Sequence, residues 1–290
     1  MKYLKIGLYL FLVFVIFEIL FRLFNPFGIG YFNQAFKYLR SCRSTHLGYY
    51  LNHNEESDGQ GLRWYEIKDT DKKRILLVGD SVVYGLGVSF NETFAFKLQN
   101  LMPDYDIINA GVGGWNTQNE YLWLKHEGIS FDPDIVVLFI TSNDHDNVYA
   151  GKIPKYTRFQ RMIYRSYVLS TMFYIKRGLF SLILGRSTIK EIGEDSYKIA
   201  EESLQGIIDF VGDRLIVCMY GTTQTVQQTK VMRFYLDILK ENKIPCFFLP
   251  DKIYENRISR IDGHLNAKGH RMISQVLYAV LKQYENFVDH

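Results

Sequence analysis

The sequence predicts an α/β protein, with a central, mostly parallel sheet of five strands between two layers of helices, preceded by an N-terminal transmembrane helix. Short aliphatic and β-branched runs alternate with segments of helical period from Arg74 to the carboxyl end, the pattern of a parallel sheet covered on both faces. Each run stops at a cluster of Gly, Asn, Asp or Ser, where strands open into loops. The first 24 residues hold an apolar stretch of bilayer length.

Taken in order, the chain begins with Lys2 and Lys5 ahead of the run Ile6 to Phe24, which is broken by charge only at Glu18 and Arg22. Those two stand four apart on one helical face and can pair, which lowers the cost of each near a membrane. A cleavable signal peptide is the rival reading, but Asn25-Pro26-Phe27 follows where a small-x-small cleavage site belongs. Residues 1–24 are therefore read as an uncleaved anchor. The two lysines place the amino terminus in the cytoplasm and the remaining domain outside it, with Arg22, Lys37, Arg40 and Arg43 weighing the other way.

Residues 25–73 show no sustained period and read as a membrane-proximal linker that packs partly on the domain and carries no chemistry. The domain itself spans 74–290. Its strands are expected at 74–78, 106–110, 135–141, 215–220 and 245–249, and its helices at 93–101, 117–126, 197–211, 226–241 and 268–284. One insert breaks the alternation. Residues 151–190 contain nine Lys or Arg and no Asp or Glu, interleaved with aromatics such as Tyr156, Phe159, Tyr167 and Phe173. This composition fits an interfacial membrane segment, and equally a helical insert with solvated cations that could roof the crevice at the strand ends.

Composition narrows the chemistry. With 290 residues, 47% hydrophobic and 22% charged, the chain is globular. A net charge of +3 gives no basis for a nucleic-acid partner. Cys42, Cys218 and Cys246 lack any zinc-ligand spacing, Gly85-Leu86-Gly87 lacks the spacing of a dinucleotide fingerprint, and no metal or cofactor is expected. Cys218 and Cys246 lie in apolar runs and read as buried hydrophobes, with a bridge between them left open for an exported domain.

Four blocks then fall in the turns after strands: Gly79-Asp80-Ser81, Asn109-Ala110-Gly111-Val112-Gly113-Gly114, Ser142-Asn143-Asp144 and Asp262-Gly263-His264. In a parallel sheet these turns open on one edge, where ligands gather. A serine, glycine amides, an asparagine amide and a histidine with a nearby aspartate suit acyl transfer. His264 can take the proton that keeps Ser81 a weak nucleophile. Asp262, or a backbone carbonyl, can orient the imidazole. The Ser81 amide, the Gly114 amide and the Asn143 side chain can hold an oxyanion. Ser81 or Asp80 as a plain helix cap is the bland alternative. Asp80 is otherwise read as tying its own loop together, His145 and His270 as structural, and Trp115 as a pocket floor or a packing residue.

Together the blocks resemble those of the SGNH (GDSL-like) hydrolases over roughly 74–281, and the N-terminal span resembles membrane-anchored bacterial members. The resemblance implies a flavodoxin-like three-layer fold, Ser81 as nucleophile, His264 as base, Asp262 as its orienting acid, and Gly114 and Asn143 as oxyanion donors. Asp262 stands two residues before His264 where many members have three, and adjacent Gly113 and Gly114 leave the donor open by one position. The implied reaction is cleavage of O-acyl esters, of carbohydrate O-acetyl groups in the cell envelope or of lipids. The same residues would serve an O-acetyltransferase. Outside the enzymes, a silent glycan- or lipid-binding envelope protein is the rival, against which the intact Ser81 and His264 speak.

Overall fold

The computed structural model describes residues 2–25, 42–52, 61–63, 71–145, 157–173, 175, 194–221, 229–259 and 262–288. Most of the 25–73 linker, residues 151–156 and 176–190 of the insert, and the start of the helix expected from Val226 lie outside them. The chain divides into two compact units. One comprises residues 1–40, 154–191 and 258–263; the other comprises 41–153, 192–257 and 264–290.

The first unit contains helix α1 (Lys2–Phe24), which is long and apolar enough to cross a membrane, with a mean hydropathy of 2.4.

The second unit opens with an antiparallel hairpin of β1 (Cys42–Ser44) and β2 (Tyr50–Asn52). The sheet strands follow in the order β3 (Lys73–Gly79), β4 (Tyr105–Gly111), β5 (Ile135–Ile140), β6 (Leu215–Met219) and β7 (Cys246–Phe248). Each starts or ends within a residue or two of its expected bounds. Side by side they run β4-β3-β5-β6-β7, and every pairing is parallel. That order reverses direction between β3 and β5, and the crevice at such a reversal is the usual ligand site of an open parallel sheet.

The helices, in chain order, are α2 (Ser81–Tyr84), α3 (Phe94–Leu101), α4 (Thr117–His126), α5 (Arg158–Arg165), α6 (167–173), α7 (Glu194–Val211), α8 (Lys230–Glu241) and α9 (Ala267–Val288). Of these, α5 and α6 belong to the first unit. Alternation along β3 sorts the core. Ile75 and Leu77 face a cluster with Phe94 and Leu98 of α3 and Ile273, Leu277 and Leu281 of α9. Leu76 and Val78 face the other way, where α4 packs on β3 and α7. All six residues of β5 are buried, as a strand covered on both faces requires. Each aliphatic side chain so buried contributes about 1.5–3 kcal/mol.

The last block departs from expectation. Asp262-Gly263-His264 does not sit in a turn: Asp262–Leu265 is strand β9, which joins β8 (Arg257–Ser259) in a two-stranded sheet. Asn266 explains the local folding. Its amide donates to the Asn256 carbonyl at 2.9 Å and its Nδ2 to the Arg257 carbonyl at 3.1 Å, which draws the two arms together. Its Oδ1 accepts from the amides of Lys268 and Gly269, at 3.0 and 3.2 Å, and so caps α9. Cys42, Cys218 and Cys246 are free thiols.

Candidate active site

Ser81 is the first residue of α2, one turn set directly on the end of β3. Asp80 caps that turn, its Oδ1 accepting from the Val82 amide at 2.8 Å. Asn109 at the end of β4 holds the far side, its Nδ2 donating to the Val83 carbonyl at 2.9 Å. Gly111 gives the turn room: a Cβ there would come 2.1 Å from the Tyr84 amide nitrogen. Buried Arg63 completes the seat, donating to the carbonyls of Tyr84, Gly85 and Val88 at 2.9, 2.7 and 2.7 Å. Tyr84 and Gly85 are the last residue and the C-cap of the turn, and Val88 lies in the loop beyond, so one guanidinium ties the end of α2 to the chain that leaves it.

From β9, His264 places its Nε2 2.7 Å from Ser81 Oγ. Ser81 Oγ also lies 3.4 Å from Asp80 Oδ2, a longer and weaker contact than that to the imidazole. Asp80 Oδ2 additionally accepts from Asn143 Nδ2 at 3.3 Å. Thr141 Oγ1 lies 2.7 Å from Asp144 Oδ1 and 2.9 Å from Asn143 Oδ1. The turns after β3 and β5 are thereby joined, and Asn143 stands exposed at their junction. Gly114 is half-buried with φ at +86°, a conformation natural to glycine. The structure brings Ser81 and His264 into contact and ties Asn143 to Asp80; the side chain of Asp262 lies outside the described atoms.

The model of the GDSL-like lipase/acylhydrolase family matches residues 77–272. The chain belongs to that family. This GDSL-like hydrolase therefore cleaves ester bonds. The psychrotrophic esterase EstA from Pseudoalteromonas sp. is similar at 14% identity and a TM-score of 0.50, over 74% of this chain and 100% of its own. A lipase/acylhydrolase from Enterococcus faecalis matches at 14% identity and a TM-score of 0.47, over 73% of this chain and 96% of its own. TesA matches at 14% identity and a TM-score of 0.48, over 73% of this chain and 99% of its own. No curated protein sequence matches the chain.

Beneath the hydrolase's nucleophile lies a buried acid cluster that sequence reasoning missed. Asp144 Oδ2 accepts from the Thr141 amide at 2.6 Å. Burial, then the neighbouring Asp80, push the Asp144 carboxyl well above the usual carboxylate range. Glu120, fully buried in α4, is pushed up by burial, then by Asp144 and Asp80. Both Glu120 carboxyl oxygens lack a hydrogen-bond partner among the described residues. The only sequence signal was an acidic residue on the inward face of a helix.

Tyr50 was also missed, in the stretch read as carrying no chemistry. Its hydroxyl donates to the Gly113 carbonyl at 3.0 Å, and its own carbonyl accepts from Trp115 Nε1 at 2.8 Å. A Cβ at Gly114 would meet the Tyr50 hydroxyl at 2.6 Å. Trp115 is fully buried and packs between Tyr49 and Trp123. His270 is buried, stacked on Phe94 and accepting from its amide at 3.3 Å. His145 is half-buried against the Tyr197 ring.

Proposed function

We propose that this hydrolase is a membrane-anchored serine esterase acting through an acyl-enzyme on Ser81. The observation that carries the reading is the 2.7 Å contact of Ser81 Oγ with His264 Nε2 at the reversal point of the sheet. With the imidazole proton on Nδ1, Nε2 receives the serine proton as Oγ bonds to the ester carbonyl carbon. Collapse of the tetrahedral intermediate breaks the bond to the alcohol, which leaves with the proton from Nε2. Water then gives a proton to Nε2 and attacks the acyl carbon, and Ser81 departs with that proton.

The oxyanion of both intermediates is assigned to the Ser81 and Gly114 amides and the Asn143 side chain. Asp262 is assigned to the imidazole Nδ1–H. The likeness of Asp262-Gly263-His264 to the Asp–His pair of the SGNH hydrolases supports this. The ester itself is proposed to be an O-acetyl group on cell-envelope carbohydrate, with α1 holding the domain outside the cytoplasmic membrane. The apolar helix and the resemblance to anchored members support that part.

A serine-reactive fluorophosphonate tests the chemistry. Wild type is expected to be labelled and Ser81→Ala is not; equal labelling of both, or of neither, overturns the reading. Rates on p-nitrophenyl esters of rising acyl length test the substrate. A preference for acetyl supports it, and activity that rises with chain length replaces it with a lipid ester.

A further inference from the structure

An ionised side chain within a helix of membrane length is costly unless it is paired. Glu18 is paired fully. Its Oε1 accepts from Arg22 Nε at 2.9 Å and from the Tyr167 amide at 2.9 Å; its Oε2 accepts from Ser166 Oγ at 2.8 Å and from the Val168 amide at 3.0 Å. A carboxylate of α1 thus caps the first turn of α6, whose opening amides have no partner inside their own helix. Arg22 adds a second tie. Its Nη2 donates to the Arg165 carbonyl at 2.7 Å, and its guanidinium lies over the Tyr167 ring at 4.9 Å.

The height of this contact on α1 matters. At 1.5 Å per residue, Glu18 stands about 20 Å along the helix from Lys5 and about 9 Å short of Phe24. With Lys5 at one face of a hydrocarbon layer of about 30 Å, residues 165–168 meet α1 about 10 Å inside the other face. Interfacial helices ride at about that depth. The side chains suit it. Phe159, Met162, Met172 and Ile175 are 65%, 51%, 62% and 50% exposed, and Arg158 and Arg165 are exposed beside them. Nine cations and no anion between 151 and 190 exclude a cationic partner surface and fit an anionic one.

We infer that residues 157–173, with Ile175, are a lipid-binding element. It docks on α1 through Glu18 and Arg22 and lies in the bilayer interface, with its exposed apolar side chains among the acyl chains and its arginines on the phosphates of anionic lipids. The inference rests on α1 being the retained anchor proposed above, and it gives that helix a partner that cleavage would remove.

The full chain in nanodiscs tests it. Cys246→Ser leaves the two buried thiols, and a single added cysteine carries an environment-sensitive fluorophore, either at Phe159→Cys or at Phe11→Cys as a reporter on α1. Both labels are expected to be quenched by lipids carrying doxyl groups. The label at 159 is expected to be quenched more strongly in discs containing phosphatidylglycerol than in phosphatidylcholine alone. Arg158→Gln and Arg165→Gln each lower its partition into the anionic discs about fivefold, the equivalent of about 1 kcal/mol per cation. Glu18→Leu releases the label at 159 while the label at 11 stays quenched. Fluorophosphonate labelling of Ser81 in each variant reports an intact fold.

The contrary results are distinct. Quenching at 11 without quenching at 159 overturns the lipid-binding element and leaves the anchor standing. No quenching at 11 overturns the anchor, and the inference with it. Equal quenching at 159 in both kinds of disc overturns the anionic headgroups, and an unchanged 159 signal in Glu18→Leu overturns the docking.

Discussion

Asp80 Oδ2 accepts a hydrogen bond from Asn143 Nδ2 at 3.3 Å, so the carboxylate that caps the nucleophile's helix also holds the side chain assigned to the oxyanion. Asn143→Ala is expected to lower kcat about 100- to 1000-fold with little change in KM, since the lost interaction forms in the transition state. Asp80→Ala is expected to remove part of the same effect by freeing Asn143. In a double-mutant cycle the two losses are then less than additive, whereas full additivity would show that Asp80 acts on Ser81 alone.

Gly114 and Tyr50 form a second coupled pair. Gly114→Ala places a methyl 2.6 Å from the Tyr50 hydroxyl in a backbone region unfavourable to alanine. The expected result is a fall in kcat of about tenfold or more, and a partial return when Tyr50→Phe is added to remove the oxygen. Kinetics of the two single variants and the double variant decide it. Tyr50→Phe alone should slow turnover modestly by releasing the Gly113 carbonyl.

His270 sets an acid limit on stability. Burial first, then Arg63 and His264, depress its pKa from 6.5 to about 3. Between those values the unfolded chain binds a proton that the folded chain refuses. The contribution is therefore complete above pH 6.5 and is lost as pH falls toward 3, at about 1.4 kcal/mol for each pH unit. His270→Gln keeps an acceptor for the Phe94 amide and cannot titrate, so its unfolding midpoint should vary less with pH across that window.

Glu120 works in the opposite direction. Its carboxyl is held protonated by burial and by Asp144 and Asp80, while the unfolded chain ionises near 4.5. Stability from this group is complete below that value and is lost as pH rises toward the raised folded pKa. Glu120→Gln removes the linkage. Denaturation at pH 5 and pH 8 should show the variant gaining on wild type at the higher pH, by on the order of 1 kcal/mol or more.

Elements with a strong local period were legible in the sequence. The five strands could be read because each is an aliphatic run ending near Gly, Asn or Asp, and Ser81 and Asn143 could be placed because they follow such runs. Strand order was not legible, since the reversal between β3 and β5 depends on which faces the helices cover. The β8 and β9 arms were missed because Arg257 to His264 has no sustained apolar run, and what pairs them is one asparagine reaching back to Asn256 and Arg257. Tyr50 and Arg63 act across 63 and about 21–25 residues of chain, in a stretch whose composition marks neither.

The β1–β2 hairpin has a consequence for where the catalytic unit can be cut. A polypeptide starting at Arg74 retains Ser81, Asn143 and His264 and every strand of the main sheet except the first residue of β3. It discards the phenol under the Gly113 carbonyl and the guanidinium that closes α2. Such a fragment should turn over slowly, whereas one starting at Ser41 keeps both supports without the apolar helix.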